Sequence, residues 1–260
     1  MVRGVVELQR ETPPKWEASA RRCYLRGSTP TLYPRRALVN SLMSAGLWRM
    51  SVVQMERVAV YIDGFNMYYG LRDAGWRRYY WLDFRRLSEK LLRFDQRLVR
   101  VSYFTARVSS TPGDPDKPKR QGTYLEALAT LSDLHIYEGY HSVKQIRCSR
   151  CGAMFQSREE KMTDVNIAVE MLGDAQDDVF DTAILISADS DLTRPVEAVR
   201  SRYPKKRVIV ALPPRRNSVR LRNSATAAFT IGRRLLSSSQ LPEHVTKADG
   251  HVLTRPHQWR

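Results

Sequence analysis

One stretch constrains the fold more than any other. Arg57 to Ile62 is a short, β-branched apolar run that ends abruptly at Asp63 and passes through Gly64 into the pattern Phe65, Tyr68, Tyr69, Leu71. An apolar run of that length, bounded by a turn, predicts a buried strand, and the amphipathic pattern after it predicts a helix. A carboxylate at the carboxyl end of a buried strand sits in the usual place for a site in an open α/β sheet. Asp63 also has the chemistry of a helix N-cap, with Gly64 easing the turn. Alone, the stretch favours the cap.

The rest of the chain repeats the alternation. A Trp/Tyr-rich link from Trp76 to Trp81 precedes a helix opened by Asp83 and running to about Leu92. Leu98–Thr105 reads as a second strand, residues 109–118 (SSTPGDPDKP) as a loop unable to sit inside an element, and Gly122–Leu131 as a helix. Leu134–Glu138 is a third strand, followed by an irregular hairpin, about residues 139–158, that carries two cysteines. Met162–Leu172 is helical, starting at Thr163 or Asp164 and stopping at Gly173. The segment TAILIS, Thr182–Ser187, is the clearest buried strand. Leu192–Tyr203 is the helix after it, with Pro195 tolerable in its first turn. Val208–Leu212 and Ala227–Ile231 complete the strands, and a last helix runs through Leu236. Such alternation predicts a mainly parallel sheet covered on both faces.

Charge and cysteine content narrow the function class. A formal net charge of +16 points to a polyanionic partner, nucleic acid before others. No apolar run approaches the roughly 20 residues that span a bilayer, so no membrane partner is expected. Three cysteines (Cys23, Cys148, Cys151) make a disulfide framework improbable and place the chain in a reducing cytoplasm. Residues 1–54 lack periodicity and carry nine basic against three acidic side chains, +6 of the total. They are expected to be disordered or dispensable, as a transit-type leader or as sequence upstream of a later start, Met55 being the most economical. The domain is expected over 55–240, with a polar tail over 241–260 lying on the surface or partly disordered.

Three elements carry aspartates that a parallel sheet would gather at one edge: Asp63 after the first strand, Asp189 and Asp191 after TAILIS, and Asp164 at a helix start. Clustered carboxylates repel one another and call for cations. Hard oxygen donors suit Mg²⁺ or Mn²⁺, and such ions polarise a phosphodiester and activate water. Each aspartate by itself is well explained as a helix cap; four on three convergent elements of a basic protein favour a metal site.

The segments YIDGFN (61–66), EKMTDVNIAVEML (160–172) and DTAILISADSDL (181–192) resemble the NYN-domain family of PIN-like nucleases, in the right order and over roughly residues 56–236. The resemblance implies a Rossmann-like (PIN-like) three-layer α/β domain whose acidic residues bind a divalent metal and cleave RNA. Asp63, Asp164, Asp189 and Asp191 fall on the family's acidic positions, and Asn66 on the Asn of its first motif. Asp63, Asp189 and Asp191 are expected as direct or water-mediated ligands, Asp164 as a fourth ligand or the group that positions water, and Asn66 as a residue orienting a carboxylate or the phosphate. Ser187 either hydrogen-bonds a ligand or ends its strand.

Two further groups are candidates. Cys148 and Cys151 form a CxxC knuckle that would need two more ligands for structural zinc. His135 and His141 precede it closely, while zinc shared across a homo-oligomer and two free thiols stay open. Arg194, Arg215, Arg216, Arg220 and Arg222 are candidate phosphate contacts, competing with a solvated surface; Tyr68, Tyr69, Trp76 and Tyr79 are candidate stacking platforms, competing with ordinary core aromatics. The expected function is a divalent-metal ribonuclease, endonucleolytic on single-stranded or loop RNA. A non-catalytic RNA-binding module is the first alternative. A small-molecule phosphohydrolase ranks last, because Phe65 breaks the DxD pattern of haloacid-dehalogenase-type phosphatases.

Overall fold

The structure, a computed structural model, describes residues 55–147 and 149–260, the side chains at 141–144 and 155–160 excepted. The expectations for residues 1–54 lie outside the described residues. In chain order the elements are β1 (Glu56–Asp63), α1 (Gly64–Asp73), α2 (Phe84–Leu91), β2 (Gln96–Ala106), α3 (Lys117–Leu128), β3 (Leu134–Arg147), β4 (Met154–Lys161), α4 (Thr163–Gln176), β5 (Thr182–Ile186), α5 (Thr193–Arg202), β6 (Arg207–Leu212), α6 (Val219–Ser224), β7 (Ala227–Thr230), α7 (Arg233–Ser237), β8 (His244–Thr246) and β9 (Val252–Thr254). The main sheet has the order β4-β3-β2-β1-β5-β6-β7. Every pairing in it is parallel except that of β4 on the outer edge of β3. The chain builds outward from β1 through β2 to β3, then returns to lay β5 on the other side of β1. The switch point of this doubly wound sheet is therefore between β1 and β5.

Residue alternation sends each strand into both hydrophobic layers. Val58, Val60 and Ile62 pack with α1, α2 and α3, whereas Ala59 and Tyr61 pack with Ile167, Met171, Val196 and Val199 of α4 and α5. Asp63 shares the parity of Tyr61 and so points to the α4 side. Gly70 lets α1 close on the loop after β6, since a Cβ there would come within 2.7 Å of the Pro214 carbonyl oxygen. Among the described residues, no helix is long and apolar enough to cross a membrane.

Several boundaries differ from expectation. α3 begins at Lys117, inside the stretch read as loop, because Pro118 is tolerated in a first turn. Gly173 lies within α4, which runs on to Gln176. β3 does not stop at Glu138; the same strand continues straight into the arm of the hairpin, paired with β4 from Tyr140–Lys161 to Arg147–Met154. The tail lies largely exposed on the surface but is anchored. β8 and β9 form an antiparallel pair that buries Val245 and Leu253, and Trp259 packs against Tyr80, Trp81 and Tyr124 with ring centroids 5.7, 6.2 and 5.8 Å away. Polar composition hid this, because only alternate residues of two short strands face inward.

Candidate active site

The site is built on the register of β1 and β5. Ile62 pairs with Ile186, so the next residues, Asp63 and Ser187, emerge side by side at the carboxyl edge. Both are buried, and the Ser187 hydroxyl donates to Asp63 Oδ2 at 2.8 Å. Asp63 Oδ1 accepts from the Asn66 backbone N–H at 2.9 Å, capping α1. The cap expected from sequence is thus real, and it coexists with a place in the cleft, since each carboxylate oxygen has a second lone pair.

The loop after β5 is held by a chain of short-range bonds. Ser187 Oγ accepts from Asp189 N at 3.0 Å, and Asp189 Oδ1 accepts from Asp191 N at 3.0 Å. Asn66 Oδ1 accepts from Ala188 N at 3.1 Å. Asn66 therefore clamps α1 to the β5 loop and keeps the two aspartate-bearing segments in register. Asp164 arrives from a third direction. Met162 adopts a left-handed φ of 78° between β4 and α4, turning the chain sharply into the helix. Gly139 on β3 makes room for that turn, as a Cβ would meet the Lys161 carbonyl oxygen at 2.5 Å.

Asp63, Asp164, Asp189 and Asp191 line one open cleft of about 870 Å³ together with Asn66, Phe65, Tyr69, Lys161, Thr163, Arg215, Arg216 and Asn217. Burial, followed by the charges of Asp63, Asp189 and Asp191, pushes the Asp164 carboxyl up to about 6. Burial is the larger cause and the neighbouring carboxylates the smaller. Among the described residues, no three His, Cys, Asp or Glu side chains are already arranged to hold an ion. The hard oxygens of these carboxylates fit Mg²⁺ or Mn²⁺.

The opposite wall is basic. Arg215 sits at a left-handed φ of 57° in the loop after β6. Arg216 lies over the Tyr69 ring at 5.6 Å and within 3.9 Å of Asp73 Oδ2. Of the arginines expected at phosphate, the structure brings Arg215 and Arg216 to the cleft. Arg194 instead pairs with Glu197 at 2.8 Å on the exposed face of α5, and Arg220 and Arg222 stand exposed on α6. Tyr69 is the one expected aromatic among the cleft lining. Tyr79 is buried and accepts from Arg233 Nε at 3.1 Å, and Trp76 packs against the core. Lys161 was not singled out by sequence, and Thr163 only as a helix start, although they bracket the turn that delivers Asp164.

For zinc, His135 is the second residue of β3, and Cys151 lies beyond its far end. Twelve residues of extended strand separate His135 from Arg147 by roughly 40 Å, so His135 and Cys151 do not share an ion within one chain. Cys151 is an exposed free thiol; Cys148 and the His141 side chain lie outside the described residues.

Among known proteins, the chain is 29% identical over 189 residues to the 6-hydroxy-3-succinoylpyridine 3-monooxygenase HspA of Pseudomonas putida (strain DSM 28022 / S16), a match covering 60% of this chain and 59% of that one. A solved structure of a protein of unknown function from Vibrio parahaemolyticus aligns with a TM-score of 0.46 and 23% identity, over 69% of this chain and 95% of that one. The NYN domain matches residues 57–233, which take in β1, the switch point and every aspartate of the cleft, and the chain belongs to the NYN-domain family, with its PIN-like, nuclease-type fold.

Proposed function

We infer that the protein is a divalent-metal-dependent ribonuclease that hydrolyses single-stranded or loop RNA endonucleolytically. One observation carries this reading: four aspartates from three elements share a cleft with Arg215 and Arg216 at the switch point of the sheet. Asp63, Asp189 and Asp191 would hold Mg²⁺ or Mn²⁺, with Asp164 as the fourth ligand or the group positioning the attacking water. When bound, the ion supplies charge neutralisation and polarisation of the phosphodiester. Arg215 and Arg216 draw in the backbone phosphates, and Tyr69 offers a face on which a base stacks. Ser187 and Asn66 keep the carboxylates placed before substrate arrives. Phosphoryl transfer asks mainly for such positioning and charge stabilisation.

The test is cleavage of a labelled single-stranded RNA with Mg²⁺, Mn²⁺ or EDTA, beside Asp189→Asn and a matching DNA. Metal-dependent cutting lost in the variant is expected. Arg216→Ala should also flatten the salt dependence of RNA binding by about 0.7 in the log–log slope, one phosphate contact on a single strand. RNA binding without cutting in every lane would replace the nuclease with a binding module.

A second reading comes from the pyridine monooxygenase relative, favoured by a mainly apolar, partly open cavity beside the cleft. It makes the protein an enzyme on small aromatic rings. Oxygen consumption with 6-hydroxy-3-succinoylpyridine and a reduced nicotinamide donor would establish it in place of RNA cleavage.

A further inference from the structure

Next to the carboxylate cleft lies a second, different space. It is a cavity of about 100 Å³ between α1, α2, α3 and the C-terminal residues, walled by aromatic side chains including Phe65, Tyr68, Tyr80, Phe84, Tyr124 and Trp259. Gly64 and Phe65 belong to its lining, and Phe65 also lines the aspartate cleft. The two spaces therefore meet at Phe65, two residues after Asp63.

We propose that this cavity seats one pyrimidine base of the RNA strand whose neighbouring phosphate lies in the aspartate cleft, so that the enzyme prefers pyrimidines beside the scissile bond. The proposal rests on the ribonuclease reading. Size argues for no more than a single ring: an apolar cavity of about 150 Å³ admits benzene, and this one holds about 100 Å³ and is partly open, so one six-membered ring enters with its polar edge left at the mouth and a fused second ring finds no room. Chemistry argues for a flat π-system held by stacking rather than by a hydrogen-bond code. Gln121 has both ends of its amide engaged, accepting from Val108 N at 2.8 Å and donating to the Ala106 carbonyl at 2.9 Å. The Tyr124 hydroxyl donates to the Leu82 carbonyl at 2.8 Å. Stacking on such walls tolerates any base, so the discrimination comes from the space available for the ring.

Charge around the mouth fits a polyanionic strand. Lys117 and Arg120, at the positive end of α3, line the cavity. A vestibule of about 320 Å³ adjoins it, sharing Tyr68, Tyr80, Arg120 and Trp259 and adding Arg72 and Arg77 against Asp114 and Asp116. Arg120 is paired with Asp114, and neither Lys117 nor Arg77 has a salt-bridge partner among the described residues. An inserted base thus has basic groups on one side for one phosphate and the aspartate cleft on the other for the next.

The test uses the full chain in EDTA, which separates ring binding from cleavage. Calorimetric titration with uridine 5′-monophosphate should show binding at least tenfold tighter than adenosine 5′-monophosphate, with ribose 5-phosphate not binding. Val108→Phe fills the cavity from a half-buried loop position and should cut uridylate affinity at least tenfold; Val108→Leu, a gentler filling, should give an intermediate loss if the larger side chain disturbs folding. In the metal-supplemented cleavage assay, the wild-type preference for pyrimidine-flanked sites should disappear in Val108→Phe. Equal binding of both nucleotides, binding of ribose 5-phosphate alone, or uridylate binding indifferent to both variants would overturn the seat and leave the nuclease reading standing. Uridylate binding with no cleavage of any RNA would instead sink the nuclease reading, and the base seat that depends on it.

Discussion

Strands β1 and β5 carry carboxylates at both ends, and the two ends are electrostatic opposites. At the amino edge, Arg57 bridges Asp181 at 2.7 Å and Asp178 at 2.9 Å, and Lys206 reaches Asp178 at 2.5 Å. Hydrogen bonds from these cations hold the Asp178 and Asp181 carboxyls below their ordinary range. At the carboxyl edge the aspartates face each other, and burial with mutual repulsion holds Asp164 above it. One end is a finished network of ion pairs; the other gathers four aspartates in one open cleft, with Arg215 and Arg216 on the facing wall. The contrast marks which acidic cluster is there for a partner.

The largest expected effect comes from breaking the unfinished end. Asp63→Asn should lower cleavage by at least about 10²–10³-fold, the loss typical of removing one electrostatic contact to a transition state. Its thermal stability should stay close to wild type. Asn caps helices as well as Asp, so the bond from Asn66 N survives, and one repelling charge is gone. Unchanged turnover would remove Asp63 from the site. The mirror experiment is Asp181→Asn at the paired end. That variant should lose about 1 kcal/mol of stability, a figure suited to a half-exposed ion pair, while cutting RNA at the wild-type rate. Denaturant titration and the same cleavage assay read both. Loss of activity in a well-folded Asp181→Asn would show that the two ends are coupled and the contrast false.

Sequence showed the aspartates better than it showed their setting. Asp63, Asp164, Asp189 and Asp191 stand at strand and helix ends, and a parallel sheet brings such ends to one edge whatever the detailed packing. Arg215 and Arg216 were legible for the same reason, as the loop after a strand. Arg194 was not, because whether an arginine on the first turn of α5 faces the cleft or pairs with Glu197 depends on helix rotation, which proximity in sequence does not fix. Asn66 was found by motif, but its work as a clamp on Ala188 needs two elements distant in the chain to meet. The aromatic cavity was invisible for a stronger reason. Its walls come from α1, the link before α2, β2, α3 and the last residues of the chain, and the tail that closes it reads as polar and irregular.

The smallest expected effect, and the one that compares the two ends in a single titration, is on stability against pH. Asp164 has a folded value, about 6, above its ordinary 3.8. Folding therefore favours its protonated form, and its contribution is fully present below about 3.8 and lost as pH rises through 6. Asp181 has the opposite sign: its folded value is depressed, so its stabilisation is present above the ordinary carboxylate value and lost as acid protonates it. Asp164→Asn should accordingly stabilise the metal-free protein at pH 7.5, by on the order of 1 kcal/mol once solvent screening of a half-buried group is allowed for, and by about half as much at pH 5, midway between the ordinary and the folded values. Mg²⁺ should remove the difference, because binding to the ionised cluster stabilises only the wild type to the full extent. Melting curves at the two pH values, with Mg²⁺ and with EDTA, measure all of this at once. A metal-free Asp164→Asn that melts with the wild type at pH 7.5 would mean that solvent already screens the cleft, and the need for a cation would then have to be argued from catalysis alone.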